Sequence, residues 1–267
     1  MEKNKVIDQV NKPSIDRRKF IVTTASAIAA TTLATSPLNL FFTRTGQIKA
    51  VAFDAFAIFD PWPVFALVER MFSENGKKLN NVWRTKQFEY SWLRTAGNKY
   101  KNFWEVTEDA LIYAAMETDV ALSNQNKKEL MEQYLKLNTW ADVLPALEAL
   151  KQNGIRLSFL SNMTSEMLNS SIHYSKTENY FECVISTDNA KTYKPSPIAY
   201  QLGIDTLKLK KEEILFVAFA GWDASGAKWF GYPTFWLNRL STPTEELNAK
   251  PDGISKKMND LVNFIKH

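Results

Sequence analysis

The sequence is poor in cysteine and histidine, two side chains on which much nucleophilic and metal chemistry depends. Its 267 residues include one cysteine, Cys183, and two histidines, His173 and His267. A single cysteine excludes an internal disulfide and a CxxC metal site. Two histidines argue against Ser-His-Asp or Cys-His catalysis and against a histidine-rich zinc site. Any chemistry therefore rests on carboxylates, lysine, arginine, hydroxyl groups or amides.

Blocks of basic residues are also missing. The formal net charge is +4, and the lysines and arginines are spread along the chain. This distribution lacks the electrostatic footprint of a nucleic-acid-binding protein, so we expect no nucleic-acid partner. The chain is instead rich in hydrophobic residues (45%) and aromatic residues (13%). Such a composition is typical of a packed globular protein.

Residues 1–46 differ in character from the rest of the chain. An arginine pair, Arg17-Arg18, precedes an uncharged stretch rich in Ala and Thr that runs from Phe20 to Phe42. This layout resembles a bacterial export signal of the twin-arginine type. It predicts recognition by Tat-type export machinery, cleavage and a periplasmic protein. The uncharged stretch is also long enough to span a bilayer, so a membrane anchor facing the periplasm stays open as an alternative.

Beyond residue 46, short apolar runs alternate with amphipathic helical patterns. This alternation predicts an α/β fold with a doubly wound parallel sheet that is covered by helices on both faces. The candidate strands are Lys49–Phe53, Ile155–Leu160, Cys183–Ser186, Ile214–Phe219 and Thr234–Leu237.

The alternation is interrupted between residues 62 and 139, where the patterns are helical throughout. This segment follows the first strand, and doubly wound sheets bind ligands at the carboxyl ends of their strands. We therefore predict an inserted helical cap over that edge. The predicted organisation is a signal and linker (1–46), an α/β core (47–61 and 140–267) and the cap (62–139).

Polar residues follow several of the predicted strands. Asp54 ends the first strand, Ser161 and Asn162 end the second, and Asp223 follows another, while Lys194 precedes a helix. Because the carboxyl ends of parallel strands meet at one edge, we expect these side chains to lie together. Asp54 alone could be a nucleophile that forms a covalent ester, a metal ligand or a loop-capping residue.

The order of these motifs, an Asp, a Ser-Asn pair, a Lys-Pro and a second Asp, resembles the haloacid dehalogenase (HAD) superfamily over residues 48–267. The segments WRTKQFEYSWLR, NFWEVTEDAL and GWDASGA look like those of the (S)-2-haloacid dehalogenases. The resemblance implies a Rossmann-like core, hydrolysis of short (S)-2-haloalkanoic acids to 2-hydroxy acids and halide, and no metal or other cofactor. It also implies a homodimer, with the aromatic-rich cap helices as its interface.

The resemblance assigns a role to each residue that would contact the substrate. Asp54 displaces halide from C2 with inversion, which forms an ester that water then hydrolyses. Arg84 of the cap receives the departing halide with Asn162 beside it, since a buried cation stabilises a leaving anion. Ser161 binds the substrate carboxylate.

The resemblance also implies a supporting network around the nucleophile. Lys194 keeps Asp54 ionised and oriented, and Tyr200 supports that network. Asp223 positions or activates the hydrolytic water. For Tyr200, simple packing on its helix is the alternative interpretation.

Three aromatic residues, Phe56, Phe103 and Trp222, would line a dry pocket around the nucleophile. Ordinary core packing is the alternative for Phe103 and Trp222. Phe56 also stands where phosphatases of the superfamily carry a second aspartate. Phenylalanine cannot transfer a proton, so a metal-dependent phosphatase is disfavoured.

The pattern departs from the family in two places. The loop from Asp54 to Asp60 is one residue shorter than usual and lacks the Gly-Thr pair, and Ala218 and Ala220 replace the usual Ser and Asn. A catalytically impaired HAD-like binding protein therefore remains an alternative to an active dehalogenase, and a phosphatase is the third hypothesis.

Overall fold

The computed structural model describes residues 47–266. The predicted export signal, with its alternative of a membrane anchor, lies outside this range. Within it, no helix combines the length and apolarity needed to cross a membrane.

The core is a sheet in which every pairing between neighbouring strands is parallel, with strand order β3-β2-β1-β4-β5-β6. The doubly wound α/β fold is confirmed. Each of the five predicted strands is present, with ends that shift by one residue at most. The short strand β6 was missed because its sequence GIS is half exposed and has no apolar run. The strands are β1 (Ala50–Phe53), β2 (Arg156–Ser161), β3 (Cys183–Ser186), β4 (Ile214–Ala218), β5 (Thr234–Leu237) and β6 (Gly253–Ser255).

Helices account for most of the remaining described chain. Four of them, α2 to α5, fill the segment for which a cap was predicted, and α3 packs along α4. The α-helices between residues 47 and 266 are α1 (Ala55–Ile58), α2 (Trp62–Met71), α3 (Gly76–Ala96), α4 (Phe103–Glu117), α5 (Asn124–Gln133), α6 (Val143–Gln152), α7 (Ser165–Tyr174), α8 (Pro197–Leu207), α9 (Gly221–Phe230) and α10 (Met258–Lys266).

The central strand β1 is buried on both faces. Val51 and Phe53 pack into the hydrophobic cluster that includes cap residues, whereas Ala50 and Ala52 pack into the cluster on the opposite face. A strand covered on both sides reads as a continuous apolar run, as here. Because β1 pairs with β2 and β4, the residue that follows it, Asp54, emerges at the middle of the sheet edge.

One contact between the helical segment 62–139 and the rest of the described chain is made by a tyrosine. Tyr100, in the loop before α4, donates its hydroxyl to Asp188 Oδ1 at 2.8 Å, just beyond β3. Its ring packs 5.3 Å from that of Tyr193, and Lys191 binds the same Asp188 carboxylate. Burial raises the pKa of Tyr100 well above its usual range, so the hydroxyl keeps the proton that it donates.

Candidate active site

Asp54 lies at the carboxyl end of β1 and is 9% exposed. Its backbone N–H donates to the Val217 carbonyl at 2.9 Å, which continues the pairing of β1 with β4. Its side-chain Oδ2 accepts the Phe56 N–H at 3.1 Å and so caps the single-turn helix α1. No helical pattern in the sequence predicts this helix. It occupies the shortened loop.

Lys194 joins two carboxylates beneath this edge. Its ammonium is fully buried and lies 2.9 Å from Asp54 Oδ1 and 2.6 Å from Asp223 Oδ2. Burial alone would lower the pKa of Lys194, but the Asp223 and Asp54 carboxylates outweigh it and raise that pKa. The ammonium therefore stays charged and holds the nucleophile candidate in one orientation.

Asp223 receives a second donor from Tyr200. The Tyr200 hydroxyl lies 2.6 Å from Asp223 Oδ1, while Lys194 holds the other carboxylate oxygen. Burial, with a further contribution from the nearby Asp54 charge, raises the pKa of Asp223 to about 6 in spite of the Lys194 ammonium. Burial and Asp223 raise the pKa of Tyr200 well above its usual range, so Tyr200 remains a hydrogen-bond donor.

The Ser161-Asn162 pair at the end of β2 holds the adjoining loops. Asn162 Oδ1 accepts the Lys194 backbone N–H at 2.9 Å and the Thr187 hydroxyl at 3.2 Å. Ser161 Oγ accepts the Met163 N–H at 3.2 Å. The Asn162 side chain thereby fixes the backbone of the lysine that pairs with Asp54.

A small cavity adjoins Asp54. Its volume of about 20 Å³ is about the space that one water molecule needs. The three predicted aromatic residues, Phe56, Phe103 and Trp222, all line it, and so do two that were missed, Phe88 and Phe219. Its other lining residues are Asp54, Ser161, Asn162, Met163, Ala220 and Asp223.

Arg84 lines a second, larger cavity of about 230 Å³ rather than the small one that Asp54 lines. Its guanidinium carbon lies 4.7 Å from the centroid of the Phe65 ring. The two cavities are neighbours with shared walls, Phe56, Phe219 and Trp222 among them. The structure therefore joins Asp54, Lys194, Asp223 and Tyr200 in one network and places Arg84 across these shared aromatic side chains.

Comparison with known proteins agrees with this architecture. Residues 85–237 match the family model described as haloacid dehalogenase-like hydrolase. Haloacetate dehalogenase H-2 from Moraxella sp. (strain B) is 39% identical over 220 residues, which cover 82% of this chain and 98% of that protein. This chain belongs to the haloacid dehalogenase-like hydrolases.

Solved structures of such hydrolases superpose on nearly the whole described chain. The L-2-haloacid dehalogenase RSc1362 is 37% identical with a TM-score of 0.81, covering 83% of this chain and all of that one. The L-2-haloacid dehalogenase from Xanthobacter autotrophicus with chloropropionic acid covalently bound is 30% identical with a TM-score of 0.76, covering 82% of this chain and 99% of that one.

The donor set of this haloacid dehalogenase-like hydrolase suits an ammonium better than a metal ion. Across residues 47–266, no group of three or more His, Cys, Asp or Glu side chains is placed to hold a metal. The carboxylates of Asp54 and Asp223 instead share the Lys194 ammonium between them. Phe56 lines the same pocket with an apolar ring, which offers no side-chain ligand.

Three further residues contribute to the site, although no site role was predicted for them. Phe88 belongs to the segment WRTKQFEYSWLR, and Phe219 is the last residue of the predicted strand Ile214–Phe219, so both stood within segments already singled out. Thr187 follows β3 directly and binds Asn162. The signal for Thr187 was its position at a strand end, which the other site residues share.

Proposed function

We propose that this hydrolase converts short (S)-2-haloalkanoic acids to 2-hydroxy acids and halide through an ester on Asp54, without a metal. The observation that carries the proposal is the Asp54–Lys194–Asp223 network at the sheet edge, beside a small pocket with aromatic walls. Such a pocket excludes the water that would otherwise solvate and weaken the nucleophile.

In the first half-reaction, one carboxylate oxygen of Asp54 attacks C2 of the substrate. The new C–O bond forms as the carbon–halogen bond breaks, and the bonding electron pair leaves with the halide. The attack comes from the side opposite the halogen, so the configuration at C2 inverts. Lys194 and the Phe56 N–H hold the two Asp54 oxygens, which leaves the carboxylate oriented for attack.

In the second half-reaction, water attacks the carboxyl carbon of the Asp54 ester. Asp223 accepts a proton from this water as the water oxygen bonds to the carboxyl carbon. When the acyl–oxygen bond breaks, protonated Asp223 gives that proton to the leaving alkoxide, which departs as the 2-hydroxy acid. The Asp54 carboxyl group then loses its remaining proton to solvent and is a carboxylate again. The pKa of Asp223 near 6 leaves it ionised at neutral pH and able to act as the base.

The substrate's charged groups need partners on the cavity walls. We assign the substrate carboxylate to Ser161 at the end of β2, and the departing halide to Arg84. Asn162, which was predicted to lie beside Arg84, lines the small cavity instead of the larger one. Arg84 in the larger cavity lies beyond the shared aromatic walls, so the halide leaves away from the Asp54–Lys194 pair. A cation in an apolar cavity stabilises the charge that develops on the leaving group.

The decisive experiment measures halide release from the purified protein without added metal, beside an Asp54→Asn variant. Chloroacetate and (S)-2-chloropropionate are both supplied, because the relatives include a haloacetate dehalogenase as well as L-2-haloacid dehalogenases. We expect halide from the wild type and none from the variant. No halide from either substrate, or equal halide from both proteins, rejects the dehalogenase.

Binding without turnover would then support the impaired binding protein, and magnesium-dependent hydrolysis of a phosphate ester would support the phosphatase.

We also propose that the chain is exported by the twin-arginine route and acts in the periplasm. The support is the Arg17-Arg18 pair with the uncharged stretch behind it. Substitution of both arginines by lysine is expected to keep the protein in the cytoplasm, as measured by cell fractionation and N-terminal sequencing. Periplasmic protein that still begins at Met1 would point to export without cleavage, and a membrane-bound protein to the anchor.

A homodimer through the cap is the further proposal about assembly. It is supported by apolar side chains exposed on α3 and α4, such as Leu93 (66% exposed) and Met116 (67% exposed). Single exposed apolar residues are common on monomeric proteins, so the proposal is that a second copy of the chain covers these side chains. Light scattering of the wild type beside a Leu93→Glu variant measures the assembly, and a monomeric wild type would reject it.

A further inference from the structure

The single-turn helix α1 leaves most of its carbonyl groups without donors inside the helix. The Phe59 N–H donates to the Ala55 carbonyl at 2.8 Å, which closes the turn. The carbonyls of Phe56, Ala57 and Ile58 belong to the last turn, where a helix has no intrahelical donors left. Buried carbonyl groups are almost always hydrogen-bonded, so their donors must come from elsewhere.

Two residues from distant parts of the chain supply these donors. Trp140, before α6, donates its indole Nε1–H to the Phe56 carbonyl at 3.0 Å and its backbone N–H to the Ile58 carbonyl at 3.1 Å. Arg239, just after β5, donates from Nη2 to the Ala57 carbonyl at 3.3 Å. Three successive carbonyls of α1 are therefore held by two residues.

These two residues are themselves held in place. The Arg239 side chain is 7% exposed, and its Nη1 lies 3.2 Å from Asp142 Oδ2. Its guanidinium carbon lies 4.8 Å from the centroid of the Trp140 ring, within the range of a cation–π contact. Asp142 also accepts the Met258 N–H at 2.9 Å. The guanidinium thus has a charged partner on one side and an aromatic face on another, which restricts its position.

We propose that Trp140 and Arg239 are positioning residues for the Asp54 carboxylate. They fix helix α1, which carries the Phe56 N–H group. That N–H donates to Asp54 Oδ2 at 3.1 Å, while Lys194 donates to Asp54 Oδ1 at 2.9 Å. If α1 loosens, one of these two constraints weakens and the carboxylate rotates away from the line of attack. This inference rests on the proposed function, in which Asp54 is the nucleophile.

Trp140→Phe tests the contact to Phe56, because it removes the indole donor and keeps an aromatic ring for Arg239. We expect the rate of ester formation on Asp54 in a single turnover to fall about three- to tenfold, the size expected for one neutral hydrogen bond, while KM changes less than about twofold. Trp83→Phe is the matched control, since the Trp83 indole donates to the Thr107 carbonyl inside the cap. It loses the same kind of bond and is expected to keep the rate of ester formation.

A pair of variants at Arg239 separates its effect on the position of Asp54 from its effect on the stability of the fold. Arg239→Lys keeps a cation for Asp142 but lacks the second nitrogen that reaches the Ala57 carbonyl. Arg239→Met loses both contacts. We expect Arg239→Lys to recover most of the thermal stability that Arg239→Met loses, yet to form the ester at least about threefold more slowly than the wild type. A structural role alone would restore the rate together with the stability.

Amide hydrogen exchange over residues 55–59 reports on α1 without depending on turnover. Exchange is expected to be faster in Trp140→Phe and in both Arg239 variants than in the wild type and in Trp83→Phe. Wild-type rates of ester formation in all three variants would overturn the positioning inference and leave the proposed function intact. A wild type that forms no ester from chloroacetate or (S)-2-chloropropionate would overturn the proposed function and this inference with it.

Discussion

The environment of one carboxylate, Asp223, changes during the proposed reaction. Burial and the Asp54 charge raise its pKa to about 6, and the Lys194 ammonium opposes them. Formation of the ester neutralises Asp54 and removes one of the two contributions that raise this pKa. The base is therefore stronger in the free enzyme and more readily ionised in the ester intermediate.

This difference predicts the pH dependence of each state. In the free enzyme, Asp223 is protonated below about pH 6 and ionised above it. In the ester intermediate its pKa is lower, so the rate of ester hydrolysis should stay constant to a lower pH. Below that pKa the rate should fall about tenfold per pH unit. Rapid-quench mass spectrometry of the Asp54 ester between pH 4.5 and 8 measures the hydrolysis. An inflection above pH 6 would contradict the expectation.

Asp223→Asn is the companion variant, because it keeps the shape of the side chain and cannot accept the proton. The ester should accumulate in this variant, with hydrolysis slowed about a hundredfold or more and its inflection lost. Unchanged hydrolysis would remove Asp223 from the role of base.

Among single residues, the polar ones that follow a strand or precede a helix were the most predictable. Asp54, Asn162, Lys194 and Asp223 were all named from the sequence, and the structure brings them to one edge. The small cavity beside Asp54 and the separate, larger cavity at Arg84 were not predictable, because cavity walls combine side chains from the cap and the core. Their assigned roles remain predictions until the variants are measured.

At the scale of elements, helix α9 carries Asp223 and packs against the loop that carries Lys194. A Cβ atom on Gly226 would lie 2.5 Å from the Tyr200 hydroxyl and 2.6 Å from the Pro195 Cβ. Both distances are far shorter than a van der Waals contact. The close approach of α9 to the Lys194 loop therefore requires glycine at this position.

Gly226→Ala should push Tyr200 away from Asp223 and destabilise the fold by about 1–3 kcal/mol, the range for overpacking a core. Urea denaturation measures the stability, and ester accumulation in a single turnover reports on Asp223. Gly97→Ala is the control, because the nearest atom to its added Cβ is the Leu93 carbonyl oxygen at 3.1 Å and its φ is negative. Equal effects of the two substitutions would contradict the packing argument.

The elements differ in how much of them the sequence revealed. The five longer strands were predicted almost to the residue because each is a buried apolar run between loop or helix signals. Helix α1 was missed because four apolar residues give no helical period, and its carbonyls are held by Trp140 and Arg239 from far along the chain. Strand β6 was missed because its pairing with β5, rather than any apolar pattern, makes it a strand.

Over the whole described molecule, the contact between Tyr100 and Asp188 links the helical segment 62–139 to the end of strand β3. Tyr100→Phe removes one hydroxyl donor and keeps the ring contact with Tyr193. We expect a loss of about 1 kcal/mol in stability and faster amide exchange in the loop before α4. Tyr113→Phe, which loses a hydroxyl that bonds Glu117 on the same cap helix, should leave exchange in that loop unchanged.

The class of fold, the helical interruption after the first strand and the set of strand-end residues could all be read from the sequence. Each depends on the pattern of apolar and polar residues within a short segment, which is a local property of the chain. Which of these residues touch depends on how distant segments pack together. This packing places the Lys194 ammonium between two carboxylates, Arg84 in a separate cavity and two distant residues on α1. Distances of 2.6 and 2.9 Å within the Asp54–Lys194–Asp223 network arise from the packing of loops that are far apart in the chain, and no local pattern encodes them.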